Sequence, residues 1–395
     1  MQVKKHFEFR YLLYFLSLVA AWPCIFSIIG ILPNYKVNYL ILFPIVAMYA
    51  VSRRAIYIPR TIFNILFIQC MIWIAYGAIH HDSSYITRLA VAITTFFLLG
   101  LQYKYKDKDF VKLFTNWQLL QVVLGTIGFV LVISNILHPL FIFVEANGKL
   151  GAFYGLFATN SFEQICRNAG FYDEPGALAC WGIYALLFNK LFIGNRKTEI
   201  ILLIGLITTL SLAYFVQVTF YILFFYKDKW KQLMGIWILL FILLKGISMY
   251  NDDYYKSTIG RLEYDEETGS IKGDNRINQL EEAGRIFKMS PIIGVGASNL
   301  GKLADKTKDI SSNIISSMAA DGVFGIIIVY LPLLLLFRLG MIDKKYLYSA
   351  IILSLGYYQR PFSPVFLINV IVLYSMILYA YIDIYETDTI LKIEK

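Results

Sequence analysis

Charged residues are scarce in this chain. They make up 16% of its 395 residues, whereas a soluble globular domain carries about a quarter. Hydrophobic residues reach 58% and the mean hydropathy is +0.61, which excludes an ordinary soluble domain and indicates a polytopic membrane protein. The formal net charge of +9 does not indicate nucleic-acid binding, because the basic residues stand in short groups between apolar runs, where they report membrane orientation.

Cysteine is also scarce. The four cysteines stand at positions 24, 70, 166 and 180, three of them inside apolar runs. This pattern excludes a disulfide framework and a CxxC metal site. The acidic groups at 252–253 and 265–267 are interpreted as a solvated surface, because the segment around them is polar and rich in tyrosine. The sequence therefore predicts neither a metal nor a cofactor.

Apolar runs of membrane-crossing length organise the chain. They predict an all-α polytopic membrane protein with about twelve transmembrane helices in a single transmembrane domain, residues 1–395. The predicted spans are 11–31, 38–51, 61–79, 86–101, 118–144, 175–193, 199–213, 214–226, 233–250, 313–337, 346–358 and 364–382. The run around Ser211 to Tyr214 is about 28 residues long, so a hairpin of two short helices is favoured over one overlong helix.

Short basic clusters set the orientation, because cytoplasmic loops are enriched in Lys and Arg. With twelve spans and a cytoplasmic start, every such cluster falls inside and both termini are cytoplasmic. The only long loops, 145–174 and 251–312, then lie outside. A single helix in place of the hairpin would invert the topology after it.

The candidate site residues stand in two segments, one at the end of the first outer loop and one in the second. The first reads Arg167-Asn168-Ala169-Gly170-Phe171-Tyr172-Asp173-Glu174-Pro175-Gly176, and the second, from Asp274 to Gly296, holds Arg276 and Arg285. Arginine keeps its charge and grips phosphate oxygens in pairs. Arginines between membrane spans therefore suggest a phosphorylated lipid substrate.

The second segment predicts a helix over 275–289, with Asp274 as its N-cap. On a helical projection Arg276 falls within the apolar side and Arg285 nearly opposite, so both cannot point into one cavity. Arg276 is the preferred ligand. Arg285 is either a second ligand or a solvated partner of Glu281.

Other side chains have alternative interpretations. Glu174 is either the general base or an acid favoured by the dipole of the helix that Pro175 begins. Gly294 and Gly296 either turn their amides toward a phosphate or form a plain turn. Asp321, about nine residues into a late span, is expected to face a cavity or a cation.

The order of these motifs resembles the signature of the O-antigen polymerase and O-antigen ligase superfamily. The matching stretches, over roughly 160–330, are Arg167…Gly170…Glu174-Pro175-Gly176, then Arg276 with Pro291-Ile292-Ile293-Gly294-Val295-Gly296, and Ser312-Asn313…Asp321-Gly322…Gly325. The resemblance implies glycosyl transfer between undecaprenyl-pyrophosphate-linked oligosaccharides on the outer face of the bacterial cytoplasmic membrane. It also implies that arginines of the two outer loops bind the substrate. A chain-length regulator is a possible partner.

The resemblance favours a polymerase, because the ligase branch has a histidine where this chain has Ser312 before Asn313. A ligase remains the first alternative, and a lipid-linked oligosaccharide flippase or transporter the second, although no half-to-half repeat is visible. His80 and His81 are interpreted as solvated residues of a short outer loop. The predicted catalytic residues are Glu174, Asp173 and Asp321, and the predicted substrate-binding residues are Arg167, Arg276, Arg285, Gly294 and Gly296.

The topology is directly testable. We expect cysteines introduced near Lys256 and Lys306 to react with a membrane-impermeant reagent from outside intact cells, because 251–312 is predicted to be an outer loop. Labelling that requires permeabilisation would contradict this topology and the hairpin on which it depends.

Overall fold

Helices dominate the computed structural model, which describes residues 8–19, 24–144, 150–160, 166–229, 264–265, 270–271, 276–304, 314–360 and 362–386, with five single positions between 231 and 245. The helices are α1 (Phe9–Val19), α2 (Ile25–Ile28), α3 (Tyr35–Ser52), α4 (Arg60–His80), α5 (Ser84–Tyr105), α6 (Asp109–Ile133), α7 (Pro175–Phe188), α8 (Arg196–Gly205), α9 (Leu212–Phe225), α10 (Arg276–Met289), α11 (Ala297–Leu303), α12 (Ile314–Ile342), α13 (Lys344–Gln359) and α14 (Leu367–Tyr385). A π-helical turn, Asn189–Ile193, extends α7, and a 3-10 turn, Leu206–Thr209, extends α8.

Six of the described helices are long and apolar enough to cross a membrane, and α1, α9 and most of α3 are shorter apolar helices. The architecture is therefore that of an all-α membrane protein. The count of twelve spans stays a prediction, and most of the predicted span 233–250 lies outside the described residues.

Two predicted spans have the wrong bounds. The run 11–31 is not one helix, because Cys24 has an extended backbone and pairs with Tyr172. The span 118–144 is shifted, since α6 begins at Asp109 and ends at Ile133.

A small antiparallel sheet follows α6, although the sequence predicted no strands there. It consists of β1 (Phe141–Val144), β2 (Leu150–Phe153) and β3 (Ala158–Thr159), in the order β1-β2-β3. Gly155, at φ +81°, allows the turn between β2 and β3. A second pair, β4 (Tyr264–Asp265) and β5 (Ser270–Ile271), is also antiparallel.

A break at Leu210 and Ser211 divides the apolar run that contains α8 and α9. Leu210 has a left-handed backbone and Ser211 an extended one. The Tyr214 hydroxyl donates to the Leu203 carbonyl, and Tyr221 donates to Glu199. The second of these pairs is farther apart in the sequence than the first. The two helices therefore run antiparallel, as the predicted hairpin requires.

Several of the predicted inner loops meet at one end of the bundle, here called the basic end. Arg10 pairs with Asp109, and Lys108 donates to the Phe192 carbonyl at 3.2 Å. The ring of Phe192 lies 6.4 Å from that of Tyr346. Further contacts of this end join Lys104 to the carbonyl of Arg53, Lys106 to Glu386, and Lys345 to Asp383. These basic clusters therefore lie at one end of the bundle, and the side of the membrane that this end faces stays a prediction.

Candidate functional site

An ion pair between Glu174 and Arg360 lies where α7 begins. Glu174 is the N-cap residue, with an extended backbone, and Pro175 occupies the first turn of the helix. The carboxylate makes no capping hydrogen bond to the helix; its Oε1 contacts Nη2 of Arg360 instead. The side chains are 39% and 24% exposed, so the pair is within reach of a ligand.

Gly176 allows this arrangement. A Cβ at this position would lie 3.0 Å from Nη2 of Arg360 and 3.8 Å from its Cζ, so a side chain would crowd the guanidinium. The Glu174-Pro175-Gly176 motif therefore supplies the anion, the helix start and the space for the cation. Asp173 also acts electrostatically on Arg360.

The pair lies far from the basic end. Helices α7 and α13 run antiparallel, with Phe192 and Tyr346 in contact at the basic end and Glu174 and Arg360 in contact at the other. Counted along the helices at 1.5 Å per residue, the pair is roughly 21 to 27 Å from the basic end. In a hydrocarbon core of about 30 Å it would lie within several ångström of the opposite interface.

Arg167 occupies a different place. Its Nε donates to the Thr209 carbonyl at 3.0 Å and its Nη2 to the Leu210 carbonyl at 3.2 Å. These carbonyls end the α8 segment, where helix acceptors lack partners. Asn168 donates to the Thr208 hydroxyl. Arg167 thus fastens its loop to the α8–α9 turn.

A second ion pair joins Asp321 of α12 to Arg88 of α5. Nη1 of Arg88 lies 2.7 Å from Oδ1 of Asp321, and the Tyr85 hydroxyl donates to the same oxygen at 2.9 Å. The guanidinium also lies over the rings of Trp73 and Tyr85. Asp321 has the cationic partner that the sequence predicted, but at 2% exposure it does not reach an acceptor sugar. Its predicted catalytic role is therefore not supported.

The two ion pairs border a common segment. A small cavity beside Arg88 is also lined by Trp73, Phe362 and Pro364. Phe362 and Pro364 belong to the connection between α13 and α14, and Arg360 stands at the start of that connection. The connection therefore contributes Arg360 to the first ion pair and lines the cavity beside Arg88 of the second.

Gly294 and Gly296 pack against the break in α12 at Gly322, which has φ +66° and ψ −175°. The amide of Gly294 donates to the Ser290 carbonyl and that of Gly296 to the Ala320 carbonyl. A Cβ on Gly294 or Gly322 would lie 2.2 Å from a carbonyl oxygen across the contact. These amides are committed to the protein's own carbonyls, which corrects the expectation that they face a phosphate.

The predicted helix around 275–289 is present as α10, Arg276–Met289. Arg285 lies on its exposed side, as projected, but it pairs with Glu282 rather than Glu281 and also donates to the Leu303 carbonyl. Arg285 therefore links α10 to the end of α11. The Arg276 side chain lies outside the described residues.

The loop between α4 and α5 is more than solvated filler. Nε2 of His80 lies 3.1 Å from the Ile293 carbonyl, and the ring packs on Tyr76 and Tyr85. The next acid, Asp82, accepts from both the amide and the hydroxyl of Ser298 at the start of α11. This loop therefore holds the 291–304 segment in place, which corrects the interpretation of His80.

Arg360 and Arg88 were both missed by sequence reasoning. Each is a lone arginine at the edge of an apolar run, so it resembles an ordinary span boundary. The one available signal was that Asp321, an acid within a span, requires a cation. Among the described residues, no group of three or more His, Cys, Asp or Glu side chains is placed to hold a metal ion.

No family model, curated protein or solved structure matches this chain.

The Asp82 contact predicts an acid-dependent loss of stability. Burial acts to raise the pKa of Asp82, but hydrogen bonds from Ser298 and Ser84 outweigh it and lower the pKa from 3.8 to about 2. Because the folded-state pKa is depressed, the stabilisation is present above about pH 4 and is lost as the pH falls toward 2. We expect Asp82→Asn to be less stable than the wild type at pH 7 by about 2 kcal/mol in the free energy of unfolding, and therefore to unfold at a lower temperature.

Thermal unfolding in detergent at a series of pH values checks this. The difference between wild type and Asp82→Asn should persist from pH 7 to about pH 4 and shrink below it. A difference that disappears by pH 6 would contradict the assignment, and Ser298→Ala should reproduce part of the effect.

Proposed function

We propose that this protein is a glycosyltransferase that acts on the outer face of the cytoplasmic membrane, a polymerase that joins undecaprenyl-pyrophosphate-linked oligosaccharide repeats into O-antigen or a related surface polysaccharide. The observation that carries the proposal is the Glu174–Arg360 pair at the start of α7. It places a carboxylate and a guanidinium side by side, partly exposed, near the membrane interface opposite the basic end.

This position suits a lipid-linked substrate. The pyrophosphate of a polyprenyl carrier lies at headgroup level, because its tail fills the hydrocarbon core. Arg360 and the positive end of the α7 dipole both favour an anion at that level. If the basic end is cytoplasmic, as the positive-inside rule predicts, the pair faces outward. Outside the cell nucleotide sugars are absent, so the donor must be tethered to lipid.

The reaction assigns one task to each residue. The acceptor hydroxyl oxygen bonds to the anomeric carbon of the donor sugar while the bond from that carbon to the pyrophosphate oxygen breaks. Glu174 takes the proton from the hydroxyl. The leaving group is undecaprenyl pyrophosphate, and Arg360 with the N-terminus of α7 stabilises its developing charge. Asp173, beside Glu174, would add to the local negative charge.

The outer arginines then have supporting roles. Arg167 and Arg285 bond to helix carbonyls in this structure, so we assign to them the placement of the two outer segments. Arg276 stays a proposed substrate ligand. A chain-length regulator stays a proposed partner.

A ligase would transfer the same donor to a lipid acceptor, and a flippase would move it without chemistry. A deletion strain separates these alternatives from the proposal. A polysaccharide gel that collapses from a ladder to a single repeat supports the polymerase, whereas loss of every repeat supports the other two.

We expect Glu174→Gln to lower the polymerisation rate about a hundredfold or more, since a positioned base contributes at least that factor. Arg360→Ala should lower it similarly, because a donor to the leaving group is lost. Arg360→Lys should restore little, since an ammonium offers a point charge in place of a fork. The measurement is ladder formation from lipid-linked repeats by purified protein in nanodiscs.

Two exposed residues provide matched controls. Glu281→Gln on α10 and Arg338→Ala on α12 remove the same kinds of charge from exposed positions and should leave the ladder unchanged. A Glu174→Gln protein with the wild-type rate and polymer length would overturn the catalytic assignment.

A further inference from the structure

We propose that Glu174 and Arg360 form a substrate-operated switch, in which the diphosphate of the lipid donor replaces Glu174 at Arg360 and releases the carboxylate for the acceptor hydroxyl. The inference rests on the proposed function and adds an order of events to it. The donor must bind before the base becomes available.

The starting state is the contact itself. Oε1 of Glu174 lies against Nη2 of Arg360, so this oxygen is occupied by the guanidinium. The guanidinium covers the side of the carboxylate that carries Oε1, and its positive charge competes with a hydroxyl proton for the carboxylate. The carboxylate that the reaction needs is therefore held against Arg360 until another anion replaces it there.

The setting favours replacement by a diphosphate. The guanidinium packs against Gly176 in the first turn of α7, and a cation at a helix N-terminus is electrostatically unfavourable. An anion with more charge than one carboxylate relieves this better. A diphosphate also presents paired oxygens that match the arginine fork.

The geometry determines which partner moves. Arg360 has little space on the helix side, because even a Cβ on Gly176 would lie 3.0 Å from Nη2. Pro175 fixes the backbone at the start of α7. The Glu174 carboxylate makes no capping hydrogen bond to the helix, so its side chain is able to rotate away about its own bonds while Arg360 stays in place.

This order of events couples the base to the donor. The carboxylate is released only in a protein that already holds a diphosphate at Arg360, so the base and the leaving-group contact become available together.

Carbodiimide labelling of the purified full-length chain in detergent tests the switch. The labelling rate of Glu174 is followed by peptide mass spectrometry, with geranylgeranyl diphosphate as the probe and geranylgeraniol as the phosphate-free control. We expect the diphosphate to raise the rate at least about fivefold and the alcohol to leave it unchanged. Exposed Glu281 serves as the internal standard for reagent consumption. Unchanged labelling, or protection by the diphosphate, would overturn the proposal.

Two variants complete the test. Arg360→Ala should label rapidly with or without the diphosphate, because the holding contact is gone. Should that variant fail to fold, Gly176→Ala keeps both charges but crowds the guanidinium, and its labelling without probe should exceed that of the wild type. A slow, wild-type rate in either folded variant would contradict the switch.

Labelling does not depend on turnover, so the labelling result tests the switch independently of the proposed function. A protein that polymerises lipid-linked repeats without diphosphate-dependent labelling keeps the function and loses the switch. A protein with diphosphate-dependent labelling but no polymerisation keeps the exchange of partners and loses the polymerase assignment.

Discussion

Burying an arginine within a hydrophobic bundle is costly unless a carboxylate meets it, because an unpaired charge in a low dielectric loses its hydration without compensation. This requirement for a carboxylate partner is met twice in the half of the bundle farthest from the basic end. Glu174 meets Arg360 where α7 begins, and Asp321 meets Arg88 where α12 breaks. The α13–α14 connection and the 291–296 segment take their positions around these two pairs. The first pair is partly exposed and suited to chemistry, whereas the second is buried and stabilises the break.

Irregular backbone beside membrane-spanning helices needs partners for its polar groups. The loop before α7 finds them on α6, where Gln121 accepts from the Phe171 amide, and on the α8–α9 turn, where Arg167 donates to two carbonyls. The 291–296 segment finds them on either side of Gly322. Many of the polar and glycine residues that the sequence singles out therefore support irregular backbone. Among the described residues, Glu174 and Arg360 have the arrangement that the proposed reaction requires.

Local features were predictable because their causes are local. Pro175 begins α7, α10 occupies the predicted range, and the apolar run divides near Ser211. The three-stranded sheet was missed because its strands are only two to four residues long. The cationic partners were missed for another reason. Arg88 and Asp321 are 233 residues apart, and no periodicity in the sequence links an acid to a lone arginine on a distant helix.

Exchanging the charges of the central pair tests this account most directly. The double variant Glu174→Arg with Arg360→Glu keeps an ion pair but moves the carboxylate away from the helix start. We predict that it unfolds at nearly the wild-type temperature, above either single variant, because each single variant places two like charges side by side at the start of α7. We also predict that it makes no polymer from lipid-linked repeats. A double variant that polymerises at the wild-type rate would contradict the account, since the pair would then serve stability alone.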